Sequence, residues 1–136
     1  MNNIQPRTAL YALAYGLFIW FEATLSIRWF ADWIFIPGNS SATFALFALT
    51  PALVYAFGWF FYRMFATPRD ERAAAAILIC AVGLIADAAA LGWNDMGFPD
   101  LDFDQQRLLA SWIAWAYGTG LISGLWPRKL PLLPQA

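Results

Sequence analysis

The chain has 136 residues, of which 61% are hydrophobic and 12% charged, and its net charge is −1. Soluble domains are typically about 45–50% apolar and about 25% charged, so this composition predicts an integral membrane protein. A net charge near zero argues against a basic nucleic-acid-binding surface. The absence of histidine and the presence of a single cysteine exclude most metal centres and most familiar catalytic sites.

Four hydrophobic segments follow one another along the chain, at residues 8–30, 43–65, 73–93 and 107–126. Each is close to the ~20 residues that a helix needs to cross the hydrocarbon of a bilayer. Short connections favour antiparallel neighbours. The sequence therefore predicts an all-α membrane protein, an antiparallel bundle of four transmembrane helices that forms one domain over residues 1–136.

The first two segments each contain an unusual polar or helix-breaking position. Glu22 lies inside the first segment, and residues 29–36 either extend that helix or lie along the membrane interface. The second segment is interrupted at Thr50 and Pro51. Proline removes a backbone donor, and lipid cannot satisfy the carbonyl that this frees. We expect Pro51 to face the bundle, or a hydroxyl such as that of Thr50 to serve the free carbonyl.

The third segment has no charged residue except Asp87. On a helical wheel Asp87 shares a face with small residues that include Gly83, whereas Leu78, Val82 and Ile85 lie opposite. Small residues allow close helix packing, so the bulky residues are expected to face lipid and Asp87 to point inward. A carboxyl in this position costs about 2.5–3.5 kcal/mol on insertion scales and is a functional-site hypothesis by default.

An acidic loop precedes the fourth segment and ends in Asp102-x-x-Gln105, the pattern of a helix capping box. Within the segment, Ala116, Gly120 and Gly124 recur at four-residue spacing. Such a spacing predicts a tightly packed helix pair.

Glu22 and Asp87 are predicted to lie at the same depth in the membrane. Glu22 follows Thr8 by 14 positions and Asp87 follows Ala73 by the same number, which places each about 21 Å along its helix. Nearby carboxylates tend to share a proton, so the pair predicts a proton- or cation-binding layer. Alternatively, each acid is hydrogen-bonded separately and fixes helix register. Further binding candidates at this level are Thr50, Trp115 and Tyr117.

Basic residues predict the orientation of the bundle, because lysine and arginine near span ends stay on the cytoplasmic side. Only two, Arg28 and Arg107, fall on the other side. Both termini are therefore expected in the cytoplasm and the chain in a bacterial inner membrane. The basic residues assigned to the cytoplasmic side are Arg7, Arg63, Arg69, Arg72, Arg128 and Lys129.

Several short motifs resemble those of known membrane proteins. The order Gly83-Leu-Ile-Ala-Asp87-Ala, Phe98-Pro99 and Trp115-Ala-Tyr117-Gly118 resembles a group of small bacterial four-span membrane proteins of uncharacterised function. That resemblance implies the same fold and assigns no catalytic residue. Glu22 followed by Thr24 is similar to small multidrug transporters, which implies exchange of protons for hydrophobic cations through the first-span glutamate.

These patterns favour a non-enzymatic protein without a cofactor or metal. It would be either a subunit of another membrane protein or a lipophile-binding bundle, and its partners would be the lipid bilayer and a second copy or another membrane protein. The alternative is a proton-coupled transporter of small hydrophobic or cationic compounds that uses Glu22 and Asp87. An enzyme would have to work through Glu22, Asp87 and Tyr117, none of which marks a reactive centre.

Overall fold

The computed structural model describes residues 4–93, 98 and 100–125, and its regular structure in these residues is entirely helical. The described residues form four helices: α1 Pro6–Ile34, α2 Ser40–Met64, α3 Arg72–Gly92 and α4 Phe103–Ser123. Each overlaps one of the four hydrophobic segments. The all-α prediction is confirmed. Arg128 and Lys129, used to predict orientation, lie outside the described residues.

Three of these helices, α1, α2 and α3, are long and apolar enough to cross a membrane. The fourth is as long as α3, at 21 residues. It begins, however, with a polar stretch that holds Asp104, two glutamines and Arg107. Insertion of three helices thus has direct support from length and composition, and the fourth span stays a prediction.

α1 is a single continuous helix of 29 residues, about 43 Å long at 1.5 Å per residue. It runs through Trp29 and Trp33, so residues 29–34 extend the first span and do not form a separate interfacial element. Gly38, at a φ of 80°, lies in the turn that leads to α2. A helix of this length exceeds the hydrocarbon thickness of about 30 Å, and must tilt or project from it.

α1 packs along α3, α3 along α4 and α4 along α2, whereas α1 and α2 make the fewest contacts among these neighbouring pairs. The α3–α4 interface depends on small residues. A Cβ on Gly120 would lie 2.9 Å from Cys80 Sγ, and one on Gly124 would lie 2.5 Å from Ala76 Cβ. Residue numbers therefore rise along α3 as they fall along α4. The small residues Gly120 and Gly124 of α4 therefore pack against α3. Ala116, which recurs with them at four-residue spacing, lines the central cavity of the bundle.

The buried face of α3 matches the predicted one, since it consists of Ala75, Ala76, Cys80, Gly83 and Asp87. On the opposite side only one of the three bulky residues is lipid-facing: Ile85 is 71% exposed. Leu78 is partly buried and packs against an apolar cluster drawn from α1, α2 and α3. Val82 Cγ1 would lie 2.6 Å from a Cβ on Gly16 of α1. The lipid-facing prediction is wrong for Leu78 and Val82 because α1 covers that side of α3.

Two apolar clusters close the two ends of the bundle. The first cluster joins the start of α1, the end of α2 and the start of α3, through Ala12, Tyr15, Phe61, Tyr62 and Ala75. The second cluster joins the end of α1, the loop before α4 and α4 itself, through Ile27, Ala31, Phe35, Phe98, Leu109 and Ile113. The middle of the bundle lies between these clusters.

Gln105 links α4 to the end of α1 by hydrogen bonds. The predicted capping box is present, because the Asp102 side chain accepts from the Gln105 backbone and the Gln105 side chain accepts from the Asp102 backbone. The Gln105 amide nitrogen also donates to Asp32 Oδ1 at 2.9 Å and to the Phe35 carbonyl at 3.4 Å. One side chain thus caps α4 and fixes its register against the end of α1.

Candidate functional site

A cavity of about 180 Å³ lies between the two clusters, and all four helices contribute to its wall. Most lining residues are apolar. The hydroxyl, indole and carboxyl groups among them belong to Tyr15, Trp20, Thr50, Tyr62, Asp87, Trp112, Tyr117 and Ser123.

Asp87 is the only acidic residue of the cavity wall in the described structure, and it is 7% exposed. Its Oδ1 accepts a hydrogen bond from Trp20 Nε1 at 2.9 Å. Its Oδ2 accepts one from the Tyr117 hydroxyl at 2.7 Å. The carboxyl group therefore connects α3 to both α1 and α4, and each oxygen has one neutral donor.

Gly83 makes the Tyr117 contact possible. It lies one helical turn before Asp87, and a Cβ there would lie 2.5 Å from the Tyr117 hydroxyl oxygen. A larger residue would displace the tyrosine ring from the carboxyl group. Gly83 thus lies where α3 faces α4 and leaves room for the ring that binds Asp87.

The proline in α2 is accommodated by tryptophans of α4. Pro51 leaves the carbonyl four residues earlier, that of Phe47, without its helical donor, and Trp115 Nε1 donates to it at 2.9 Å. Thr50 Oγ1 instead donates to the Leu46 carbonyl at 2.6 Å and accepts from Trp112 Nε1 at 2.7 Å. The expectation that Thr50 serves the free carbonyl is wrong, because Trp115 occupies that position.

Glu22 and Asp87 do not meet. Glu22 is exposed on the outer side of α1. Trp20 and Ala23 of the same helix line the cavity, and Glu22 is not among the lining residues. Two residues of a helix separated by two positions point about 200° apart, so a helix that turns Trp20 inward turns Glu22 outward. The equal calculated depth does not give these acids a common site. Asp87 is bonded to α4, which agrees with the alternative of separate hydrogen bonds.

Sequence reasoning missed Trp20, an indole donor to Asp87 inside the bundle. A signal for Trp20 exists, because Ala12, Gly16, Ala23 and Ile27 recur with it at helical spacing on one face of α1. Glu22 lies on the opposite face of α1.

The cavity suits an apolar guest with a hydrogen-bonding or charged end. Among the described residues, no group of three His, Cys, Asp or Glu side chains could hold a metal ion. The cavity is partly open, and the exposed side chains Leu53 and Phe57 of α2 contribute to its wall. Because α1 and α2 make the fewest contacts of the neighbouring helix pairs, we assign the opening to the gap between them. Both carboxyl oxygens of Asp87 retain acceptor capacity beyond their single bonds.

No curated protein and no solved structure matches the chain. Residues 34–130 match a family of unknown function (DUF5367). This range contains Thr50, Asp87 and Tyr117 and omits Trp20 with most of α1. It spans more than two thirds of the sequence, and the chain therefore belongs to the family of unknown function DUF5367.

Proposed function

We propose that this protein is a non-enzymatic, membrane-embedded bundle that binds a small lipophile in its central cavity. The observation that carries the proposal is an apolar cavity lined by all four helices, with Asp87 as its single acidic group among the described residues. A well-packed protein interior has few voids larger than a water molecule. A pre-formed apolar cavity with a few convergent polar groups is the usual form of a small-molecule site.

The volume limits the guest. An engineered apolar cavity of about 150 Å³ stays dry and binds benzene, and the present cavity is slightly larger, at about 180 Å³. One ring or a short branched chain fits inside it. A longer tail would have to leave the bundle through the side opening between α1 and α2.

That opening favours entry from the bilayer. α1 and α2 approach each other through Tyr11 and Tyr15, which contact the rings of Phe65 and Phe61, and these residues lie at one end of both helices. Farther along, the two helices leave space that Leu53 and Phe57 border. A hydrophobic compound dissolved in the membrane would reach the cavity there without passing through water.

The proposal includes a four-span antiparallel bundle with cytoplasmic termini, in the inner membrane of a bacterium. The α3–α4 register supports opposite helix directions. Arg7, Arg63 and Arg72 lie on helix ends that the first cluster brings together, and this grouping supports a single basic, cytoplasmic side. The charges of α4 occur in its first turns, so its apolar remainder can lie in the bilayer against α2 and α3.

Cys80 allows a direct test, because it is the only cysteine and lines the cavity. We expect toluene to slow the reaction of Cys80 with a small neutral methanethiosulfonate in detergent-purified protein. Ala23→Phe, which fills the cavity, should remove the protection by toluene. Ala81→Phe makes the same change on an exposed helix position outside the cavity and should leave it intact. Unchanged labelling of the wild-type protein with saturating toluene would refute the proposal.

A second candidate is proton-coupled transport through Asp87 alone. The supporting observation is that a titratable group lies on the wall of the cavity, where a proton and a guest would compete for one carboxyl. Glu22 could take part only across an interface with a second copy or another membrane protein, since it lies on the outer side of α1. Ligand-driven proton flux in proteoliposomes, lost in Asp87→Asn, would support this candidate, and guest binding without flux would reject it.

A further inference from the structure

We infer that the guest of the cavity is a small lipophilic amine, bound in its protonated form with the ammonium group on Asp87. The inference rests on the proposed lipophile-binding function and names the chemical class of the ligand. It follows from the charge of the cavity, the character of its walls and its size.

The two hydrogen-bond donors to Asp87, the Trp20 indole and the Tyr117 hydroxyl, are neutral. None of the cavity-lining residues in the described structure is lysine or arginine, and the chain has no histidine. A carboxylate in a low-dielectric site needs an opposite charge close by. The described cavity wall supplies hydrogen bonds and no cation, and an ammonium group on the guest would complete the site.

The carboxyl group still has room for that interaction. A carboxylate offers about four acceptor positions, and the two hydrogen bonds from Trp20 and Tyr117 occupy one on each oxygen. A primary ammonium carries three donors and forms charge-assisted bonds that are roughly twice as strong as neutral ones. A quaternary ammonium has no N–H to donate, so it would not use these positions.

The walls suit the same ligand. Aromatic side chains of three helices line the cavity, among them Tyr15, Trp20, Trp112 and Tyr117. Aromatic faces attract cations, most strongly where water is excluded, and their edges and faces also pack against an apolar ring. An anion of the same shape would meet the Asp87 carboxylate with no compensating positive group. The cavity therefore selects by charge in the order ammonium, neutral compound, carboxylate.

Three probes of nearly equal size separate these possibilities: benzylammonium, benzyl alcohol and benzoate. Binding to protein in nanodiscs is measured by equilibrium dialysis and corrected with empty nanodiscs for partition into lipid. We expect benzylammonium to bind at least tenfold more tightly than benzyl alcohol, and benzoate not to bind measurably. Asp87→Asn should abolish the preference of the protein for benzylammonium over benzyl alcohol. Asp100→Asn makes the same change in an exposed loop outside the cavity and should preserve it.

The outcomes separate the inference from the function on which it rests. Equal affinity of the wild-type protein for benzylammonium and benzyl alcohol would overturn the amine assignment and leave lipophile binding standing. Failure of both compounds to bind would overturn both proposals. If Asp87→Asn does not fold, protection of Cys80 in the wild-type protein decides, because benzylammonium should protect it at a concentration at least tenfold lower than benzyl alcohol does.

Discussion

The hydrogen bond between the Trp115 indole and the Phe47 carbonyl should stabilise the protein only because of Pro51. The indole nitrogen lies 2.9 Å from that carbonyl oxygen, and Pro51 within α2 cannot supply the backbone donor. If Pro51 is replaced by alanine, the backbone N–H at that position can take over. Trp115→Phe should therefore be costly in the natural protein and nearly neutral in a Pro51→Ala background.

The expected magnitude follows from the cost of leaving a carbonyl without a partner. The contact lies at an exposed position, where in the proposed span lipid replaces water and cannot satisfy a free carbonyl. An acceptor left unsatisfied away from water costs about 1–3 kcal/mol, whereas side-chain hydrogen bonds inside membrane proteins average about 0.6 kcal/mol and reach about 1.7 kcal/mol. Phenylalanine retains most of the packing of the indole ring. We expect Trp115→Phe to lower the free energy of unfolding by about 1–2 kcal/mol with Pro51 present, and by less than about 0.5 kcal/mol in the Pro51→Ala background.

The assay is reversible unfolding in mixed micelles, followed by circular dichroism for the four members of the double-mutant cycle. Trp33→Phe is the matched control, because Trp33 is 83% exposed and its replacement should change stability by less than about 0.5 kcal/mol. The coupling energy isolates the contact from the general loss of ring area. An equal cost of Trp115→Phe in both backgrounds would show that the indole does not compensate for the proline.

Three further predictions test packing, capping and orientation. Gly120→Leu should lower stability by about 1–3 kcal/mol because of overpacking against α3, while Ile85→Ala, on the lipid face, should cost less than about 0.5 kcal/mol; equal losses in detergent unfolding would mean that the helix faces are misassigned. Gln105→Leu should lower thermal stability by about 1–2 kcal/mol, because it removes a capping bond and the bond to Asp32; an unchanged melting temperature would contradict this. Reporter tags in the turn between α2 and α3 should report cytoplasm, and tags in the turn between α1 and α2 should report the outside; the reverse pattern would invert the proposed topology.

Features that depend on one helix and its immediate neighbours in sequence could be predicted. The hydrophobic segments are long enough to specify the four helices. The small face of α3 follows from its own periodicity, which places Gly83 and Asp87 inward. The Asp102 and Gln105 cap is likewise a local pattern, because both partners lie within one turn. In each case the interacting groups lie within one short segment of the sequence.

Features that depend on which helices become neighbours could not be predicted. Periodicity alone assigns Leu78 and Val82 to the lipid face, yet α1 packs there because Gly16 permits a close approach to α3. The same packing determines that Trp20, and not Glu22, reaches Asp87. Depth along a helix can be calculated from residue number. Which partner a side chain meets can be stated only when the helix packed against its face is known.

The energetics of Asp87 bear on why the cavity wall has a carboxyl group. Insertion of the acid costs about 2.5–3.5 kcal/mol. The hydrogen bonds from Trp20 and Tyr117 return about 0.6 kcal/mol each by measurements in membrane proteins, or about 1.5–3 kcal/mol each for bonds to a charged group. On the first scale the two bonds return less than the insertion cost, and on the second they return as much or more. Well-packed apolar side chains, however, often stabilise a protein as well as a buried charged network does. Stability alone therefore gives little reason for a carboxyl at this position, whereas a guest with an ammonium group requires one.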